Sequence, residues 1–136
     1  MKIYFSGSIR AGREHQEHYA KIIGLLGKYG KILTEHIGDP KLSAQGELNI
    51  TDDEIYERDM RWLKESDIVV ADVSVPATGV GYEIAYAEIL GKKVLCLYYG
   101  DAEKKISGMI SGNRNLTVKT YKTAEDLERI FNEFFK

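Results

Sequence analysis

The sequence predicts a single α/β domain over residues 1–136, built as a parallel sheet of five strands with helices on both faces. Three observations carry this. Short apolar runs alternate with amphipathic stretches about five times along the chain, without internal repeats or low-complexity segments. The run Asp67-Ile68-Val69-Val70-Ala71-Asp72-Val73 is β-branched on both faces, which suits a central parallel strand covered on both sides. Finally, 136 residues with 43% apolar and 29% charged side chains, 2 Pro and 13 Gly, fit one compact core and nearly exclude a two-domain enzyme.

Ile3-Tyr4-Phe5 reads as a buried strand, because Gly7 leaves no room for a helix before it. A helix is predicted from about Arg13 to Tyr29, with His15, Tyr19, Ile22, Ile23 and Leu26 on one face and Gly30 as its stop. Lys31 to Thr34 is the second strand, and the polar stretch from Gly38 to Asn49 has no clear assignment. Thr51 with Glu54 three residues on has capping-box spacing and predicts a helix from about Asp52 to Ser66. The β-branched strand and the loop Ser74 to Thr78 follow. Next come a helix from about Gly79 to Leu90, a strand from Lys93 to Tyr98, and a helical turn near Ile106 to Ile110. A strand from Leu116 to Tyr121 and a helix from about Ala124 end the chain.

The formal charge of −2, from 19 basic and 21 acidic side chains, supplies no overall field for a nucleic-acid polymer or an anionic membrane. No stretch approaches a membrane span, and Met1 to Phe5 runs into Gly7 and Arg10 too early for a signal peptide. The lone Cys96 sits in an apolar run and reads as a core residue of a reducing compartment. The expectation is a complete cytoplasmic protein.

Parallel sheets of this kind bind ligands at the carboxyl ends of their strands. This directs attention to the loops Ser6 to Gly12, Thr34 to His36, Val73 to Gly81 and Tyr99 to Gly112. Ser6-Gly7-Ser8-Ile9-Arg10 joins a strand to a helix, where free amides and Arg10 suit an anion; a plain turn with a surface arginine accounts for the residues as well. Neither this loop nor Gly79-Val80-Gly81 has dinucleotide or P-loop spacing, so no nucleotide cofactor is expected. His15 and His18 lack a third ligand of the right type nearby, so no metal is expected either.

Two acids stand out. Ile55, Asp59, Trp62 and Ser66 form one helical stripe, and Val80, Glu83, Ala87 and Leu90 another, which puts both carboxylates on expected core-facing sides. Glu83, early in its helix, is expected to stay ionised through the helix's positive end, as a nucleophile must. An enclosed mid-helix Asp59 is expected to titrate high, as suits a proton donor. The alternative is that both acids bond to nearby backbone or sit at a helix edge. Paired carboxylates in unlike environments are what cleavage at an anomeric carbon requires.

Ile3-Tyr4-Phe5-Ser6-Gly7-Ser8-Ile9-Arg10-Ala11-Gly12-Arg13, Leu33-Thr34-Glu35-His36, Asp59-Met60-Arg61-Trp62-Leu63 and Gly79-Val80-Gly81-Tyr82-Glu83 together closely resemble the 2′-deoxynucleoside 5′-phosphate N-hydrolases of the nucleoside deoxyribosyltransferase superfamily. The likeness continues through Leu95-Cys96-Leu97 and Ile106-Ser107-Gly108-Met109-Ile110. It implies a Rossmann-like (flavodoxin-like) homodimer that releases a free base and 2-deoxyribose 5-phosphate from deoxynucleoside 5′-monophosphates. By that resemblance Glu83 is the nucleophile of a covalent sugar–enzyme intermediate and Asp59 assists departure of the base. Tyr4, Phe5, Ser6, Gly7, Ser8, Ile9 and Arg10 form the sugar- and phosphate-binding loop, and Gly79 belongs to the substrate site. Tyr19 and His36 line the ligand, and Ser107, Gly108 and Met109 come from the partner subunit.

One departure is Ala77, where the family often has a phosphate-holding serine; the lost donor weakens phosphate binding by ~1 kcal/mol or more. The alternatives to a hydrolase are a deoxyribosyltransferase, which passes the sugar to a second base, and a nucleotide sensor without turnover. The presence of both Glu83 and Asp59 argues against the sensor.

Overall fold

The computed structural model describes residues 1–9, 15–43, 46–101 and 106–136. Its strands are β1 (Lys2–Ser6), β2 (Lys31–Ile32), β3 (Ile68–Asp72), β4 (Lys93–Tyr99) and β5 (Thr117–Tyr121). The helices are α1 (Gln16–Leu26), α2 (Asp52–Glu65), α3 (Thr78–Ile89), the short α4 (Gly108–Ser111) and α5 (Ala124–Phe134), with a 3-10 turn at Glu35–Gly38. All strand pairs are parallel, in the order β2-β1-β3-β4-β5, with Ile3 opposite Ile68, Ile68 opposite Lys93 and Leu95 opposite Thr117. This is the flavodoxin-like order. From β1 the chain winds outward to β2 and then returns across β1 to β3, which opens a crevice over the carboxyl ends of β1 and β3.

The alternation of side chains along the strands divides the core in two. Ile3, Phe5, Val70, Leu95 and Leu97 pack against Tyr19, Ile22 and Leu26 of α1 and Leu127, Ile130, Phe131 and Phe134 of α5. On the other face Tyr4, Val69, Ala71, Val94 and Cys96 pack against Met60 and Leu63 of α2 and Val80, Ile84 and Ala87 of α3. Burial pushes the Cys96 thiol up to about 12 and keeps it a neutral core group.

The capping box that sets the start of α2 forms as expected: Glu54 N–H donates to Thr51 Oγ1 at 3.2 Å and Thr51 N–H to Glu54 Oε1 at 3.3 Å. Thr123 and Asp126 build the same device at α5. Elsewhere the boundaries differ. The expected start of the first helix at Arg13 lies outside the described residues, and α1 ends at Leu26 rather than at Tyr29. Lys28 and Tyr29 N–H bond back only three residues, to Leu25 and Leu26, as the chain tightens through Gly27. Gly30 then passes so close to the first residue that a Cβ would lie 2.5 Å from the Met1 carbonyl oxygen. β2 stops at Ile32 because a side chain takes over the ladder: Phe5 N–H donates to Thr34 Oγ1 at 2.9 Å, and that hydroxyl donates to Phe5 O at 2.6 Å.

The helix stripes are also shifted. α2 buries Met60 and Leu63, leaving Asp59 and Trp62 half-buried beside them. α3 buries Val80, Ile84 and Ala87, so Glu83 lies at the edge of that face, and Leu90 is 37% exposed beyond the helix end. Both acids therefore flank the core instead of entering it, and both edges open toward the same crevice.

Candidate active site

A cleft of about 610 Å³ lies over the carboxyl ends of β1 and β3. Gly7, Ser8 and Ile9 form its floor on one side, and Ala77, Thr78 and Gly79 lead into α3 on the other. Asp59 from α2 and Glu83 from α3 project into it, with Tyr56 and Tyr82 at the rim, 55% and 52% exposed. The tight β1 turn depends on Gly7, where a Cβ would meet Phe5 Cε2 at 3.0 Å and Tyr19 Cε2 and Ile37 Cγ2 at 3.2 Å. Behind the turn, the buried Tyr19 hydroxyl accepts Ser8 N–H at 3.2 Å.

The expected site residues do not all meet in the cleft. Gly7, Ser8, Ile9, Asp59, Gly79 and Glu83 line the cleft directly. Tyr4 and Ser6 lie beneath it, and their hydroxyls are near enough to Glu83 to favour its charged form. Phe5 and Tyr19 do not line it: they meet edge-to-face at 5.6 Å in the core under α1 and α5, so Tyr19 supports the loop from behind. His36 borders a neighbouring groove, 3.4 Å from Glu47 and 5.9 Å between ring centroids from Trp62. Ser107, Gly108 and Met109 are exposed on the short α4 and do not line this chain's cleft. Arg10 lies outside the described residues.

Of the two acids, Asp59 behaves as expected and Glu83 does not. Burial raises Asp59, as expected, and the adjoining Arg58 guanidinium opposes the rise by hydrogen bond and charge. Glu83, however, is not held ionised by the start of its helix. It is the sixth residue of α3, past the free amides of the first turn, where the dipole's influence has faded. Burial dominates and, with the nearby charge of Asp59 adding, pushes Glu83 up to about 7. Among the described residues neither its buried Oε2 nor the buried Ser6 Oγ has a hydrogen-bond partner. The same carboxylates and burial push the Tyr4 hydroxyl far above its usual range, so it stays a neutral donor.

Sequence reasoning missed Arg58 and Glu47. Arg58 forks onto both oxygens of Glu47 at 2.8 Å, reaches Asp59 Oδ1 at 2.9 Å, and lies 4.8 Å from the Trp62 ring centroid. The sequence signal for Arg58 was its adjacency to Asp59; Glu47 lay in the polar stretch without an assigned element. Among the described residues no group of three or more His, Cys, Asp and Glu side chains is placed to hold a metal ion. No helix among them is long and apolar enough to cross a membrane.

A buried carboxyl that ionises near neutrality, a second acid in a different environment and a polar loop at a strand end are parts suited to nucleophilic cleavage with proton assistance. Comparisons with known proteins identify the family. The family model described as nucleoside 2-deoxyribosyltransferase matches residues 3–126. The 5-hydroxymethyl-dUMP N-hydrolase of Mus musculus is 42% identical over 98% of this chain and 79% of its own length. The protein of the same name from Esox lucius is 43% identical over 100% of this chain and 97% of its own. Among solved structures, a CMP N-glycosidase from Clostridium botulinum shares the fold with a TM-score of 0.67 at 18% identity, covering 98% of this chain and 99% of that one. A 2-deoxyribosyltransferase from Bacillus psychrosaccharolyticus does so at 0.67 and 21%, covering 94% and 90%. The chain thus belongs to the nucleoside 2-deoxyribosyltransferase family, with nucleotide N-hydrolases among its relatives.

Proposed function

We propose that the protein is a hydrolase that cleaves the N-glycosidic bond of 2′-deoxynucleoside 5′-monophosphates, giving a free base and 2-deoxyribose 5-phosphate. The observation that carries this reading is the meeting of Asp59 and Glu83 in one cleft beside the Ser6–Ile9 loop. The names of the relatives supply the bond type.

In the proposed reaction a Glu83 carboxylate oxygen bonds to C1′ as the bond to the base breaks and its electron pair leaves on the base nitrogen. Asp59 gives the base its proton. Water then attacks C1′, passes a proton to Asp59, and Glu83 departs as a carboxylate. With Glu83 raised to about 7, a substantial share of it is ionised at neutral pH, and Tyr4 and Ser6 are placed to stabilise the charge. The 5′-phosphate is assigned to the loop Tyr4 to Arg10, with Ser8 and Arg10 as donors and the amides at the start of α3 adding positive potential.

The active form is read as a homodimer in which Ser107, Gly108 and Met109 complete the neighbouring site. α3 supports this, because Tyr82 and Ile89 on its outer side are 52% and 80% exposed, and Met109 on α4 is 82% exposed. A helix apolar on nearly all sides is one that becomes covered. The buried free thiol of Cys96 supports a cytoplasmic location.

Incubation with a deoxynucleoside monophosphate and a second, labelled free base tests the reading. Base release without label in nucleotide is the expected result. Label entering nucleotide identifies a transferase, and binding without release identifies a sensor.

A further inference from the structure

The two acids of the cleft have unequal access to positive charge. Arg58 borders the neighbouring groove behind Asp59 and is held on several sides: both terminal nitrogens are 2.8 Å from Glu47, Nε and Nη2 are each 2.9 Å from Asp59 Oδ1, and the Trp62 ring centroid is 4.8 Å away. Its side chain is 19% exposed. A guanidinium forked onto one carboxylate, bonded to a second and stacked on an indole has little freedom to follow anything else. Asp59 therefore faces Arg58 on its own helix, and Glu47 and His36 from the preceding segments. Glu83 faces Tyr4 and Ser6 from β1 and Asp59 from α2, and among the described residues no arginine, lysine or histidine pairs with it.

The negative charge of Asp59 adds to the rise of Glu83, and both acids line one cleft, so the charge state of one bears on the other. We propose that Arg58 is a positioning residue that fixes Asp59 as the charged member of the pair and so leaves the pair's proton on Glu83 while the cleft is empty. Glu47 moderates this hold, since it shares the guanidinium and adds negative charge beside Asp59. The proposal deepens the hydrolase reading and rests on it for its consequence. Before Glu83 can bond to C1′, its proton must leave and one must arrive on Asp59, with the total unchanged. Ligand binding then completes the catalytic arrangement by moving a proton within the pair, and Arg58 determines how far that transfer is uphill.

The test needs no turnover, so it is independent of whether the hydrolase reading holds. The carboxyl carbons of ligand-free protein labelled with 13C at Asp and Glu are titrated by NMR, and the two signals are assigned by their loss in Asp59→Asn and Glu83→Gln. In the wild type the Glu83 signal should titrate near 7 and the Asp59 signal below it. Arg58→Met should move the Asp59 midpoint up by about one pH unit or more, the size expected on losing an adjacent opposite charge, and move Glu83 down. Arg58→Lys should retain most of the wild-type order. Glu47→Gln, which leaves Arg58 in place, should move Asp59 the opposite way, to lower pH. An Asp59 midpoint unchanged in folded Arg58→Met, or a wild type in which Asp59 titrates above Glu83, overturns the proposal. If Arg58→Met does not fold, the Glu47→Gln shift decides alone: no downward movement of Asp59 refutes it.

Discussion

Ala77 occupies the N-cap of α3 with extended backbone (φ −146°, ψ 128°), and the helix start has no side-chain cap. It also lines the cleft next to Thr78 and Gly79. In Ala77→Ser the hydroxyl oxygen can accept the N–H of Gly79 or Val80, and its proton remains free for a phosphate oxygen. Serine in place of alanine at an N-cap stabilises by about 1 kcal/mol. With about 2.1 cal/mol/K of unfolding entropy per residue, that gain raises the melting temperature of a chain this long by roughly 3–4 °C. The added donor contributes about 1 kcal/mol more to a bound phosphate, or roughly fivefold in affinity. Thermal melting without ligand measures the first effect. KM for a deoxynucleoside 5′-monophosphate against the unphosphorylated nucleoside measures the second, and only the monophosphate should gain. An unchanged melting temperature refutes the cap assignment, and an equal change in KM for both substrates refutes the placement of phosphate at this helix start.

Glu83→Gln should also change stability, with a sign set by pH. The folded protein holds the Glu83 proton up to about 7, above its ordinary value of 4.5, so the wild type loses stability as pH rises through that window. The loss is on the order of 3 kcal/mol, and Glu83→Gln should be the more stable protein above pH 8 with little advantage near pH 4, as read by denaturant melts at both pH values. Asp59→Asn should slow release strongly for bases that need a proton to leave and much less for bases that do not; equal loss for both classes contradicts the acid role. Arg10→Ala should raise KM for monophosphates far more than for nucleosides, and equal effects would remove Arg10 from the phosphate site. Mixing inactive Glu83→Ala and Ser107→Trp chains should restore part of the activity, because one site of each heterodimer is intact; no recovery after confirmed subunit exchange assigns each pocket to a single chain.

The architecture was legible because it is written in local patterns. The β-branched run of β3, the capping box of α2 and the glycine after β1 each dictate their own structure, and the strand order conforms to the family resemblance. Both cleft acids were found for a partly mistaken reason. A 3.6-residue period cannot distinguish the centre of a buried stripe from its edge one residue away, and Met60 and Ile84, not Asp59 and Glu83, occupy the centres. The edge position is what lets a carboxyl be shielded and still meet a ligand. The ionisation of Glu83 was not legible because a helix start reports one local field, whereas burial of the carboxyl, the nearby charge of Asp59 and the opposing hydroxyls of Tyr4 and Ser6 arise from elements distant in the chain, Tyr4 lying 79 residues earlier. The pairing of Arg58 with Glu47 was not legible, since their fork joins a helix to a stretch without regular structure across 11 residues.

The most direct measurement of the central claim follows base and 2-deoxyribose 5-phosphate together by mass spectrometry, for wild type and Glu83→Gln, across the common deoxynucleoside 5′-monophosphates and 5-hydroxymethyl-dUMP. The wild type should release the two products in equal amounts from at least one of these nucleotides, and Glu83→Gln should still bind that nucleotide while releasing neither. Release by Glu83→Gln at a near wild-type rate, or no release from any nucleotide by the wild type, contradicts the account.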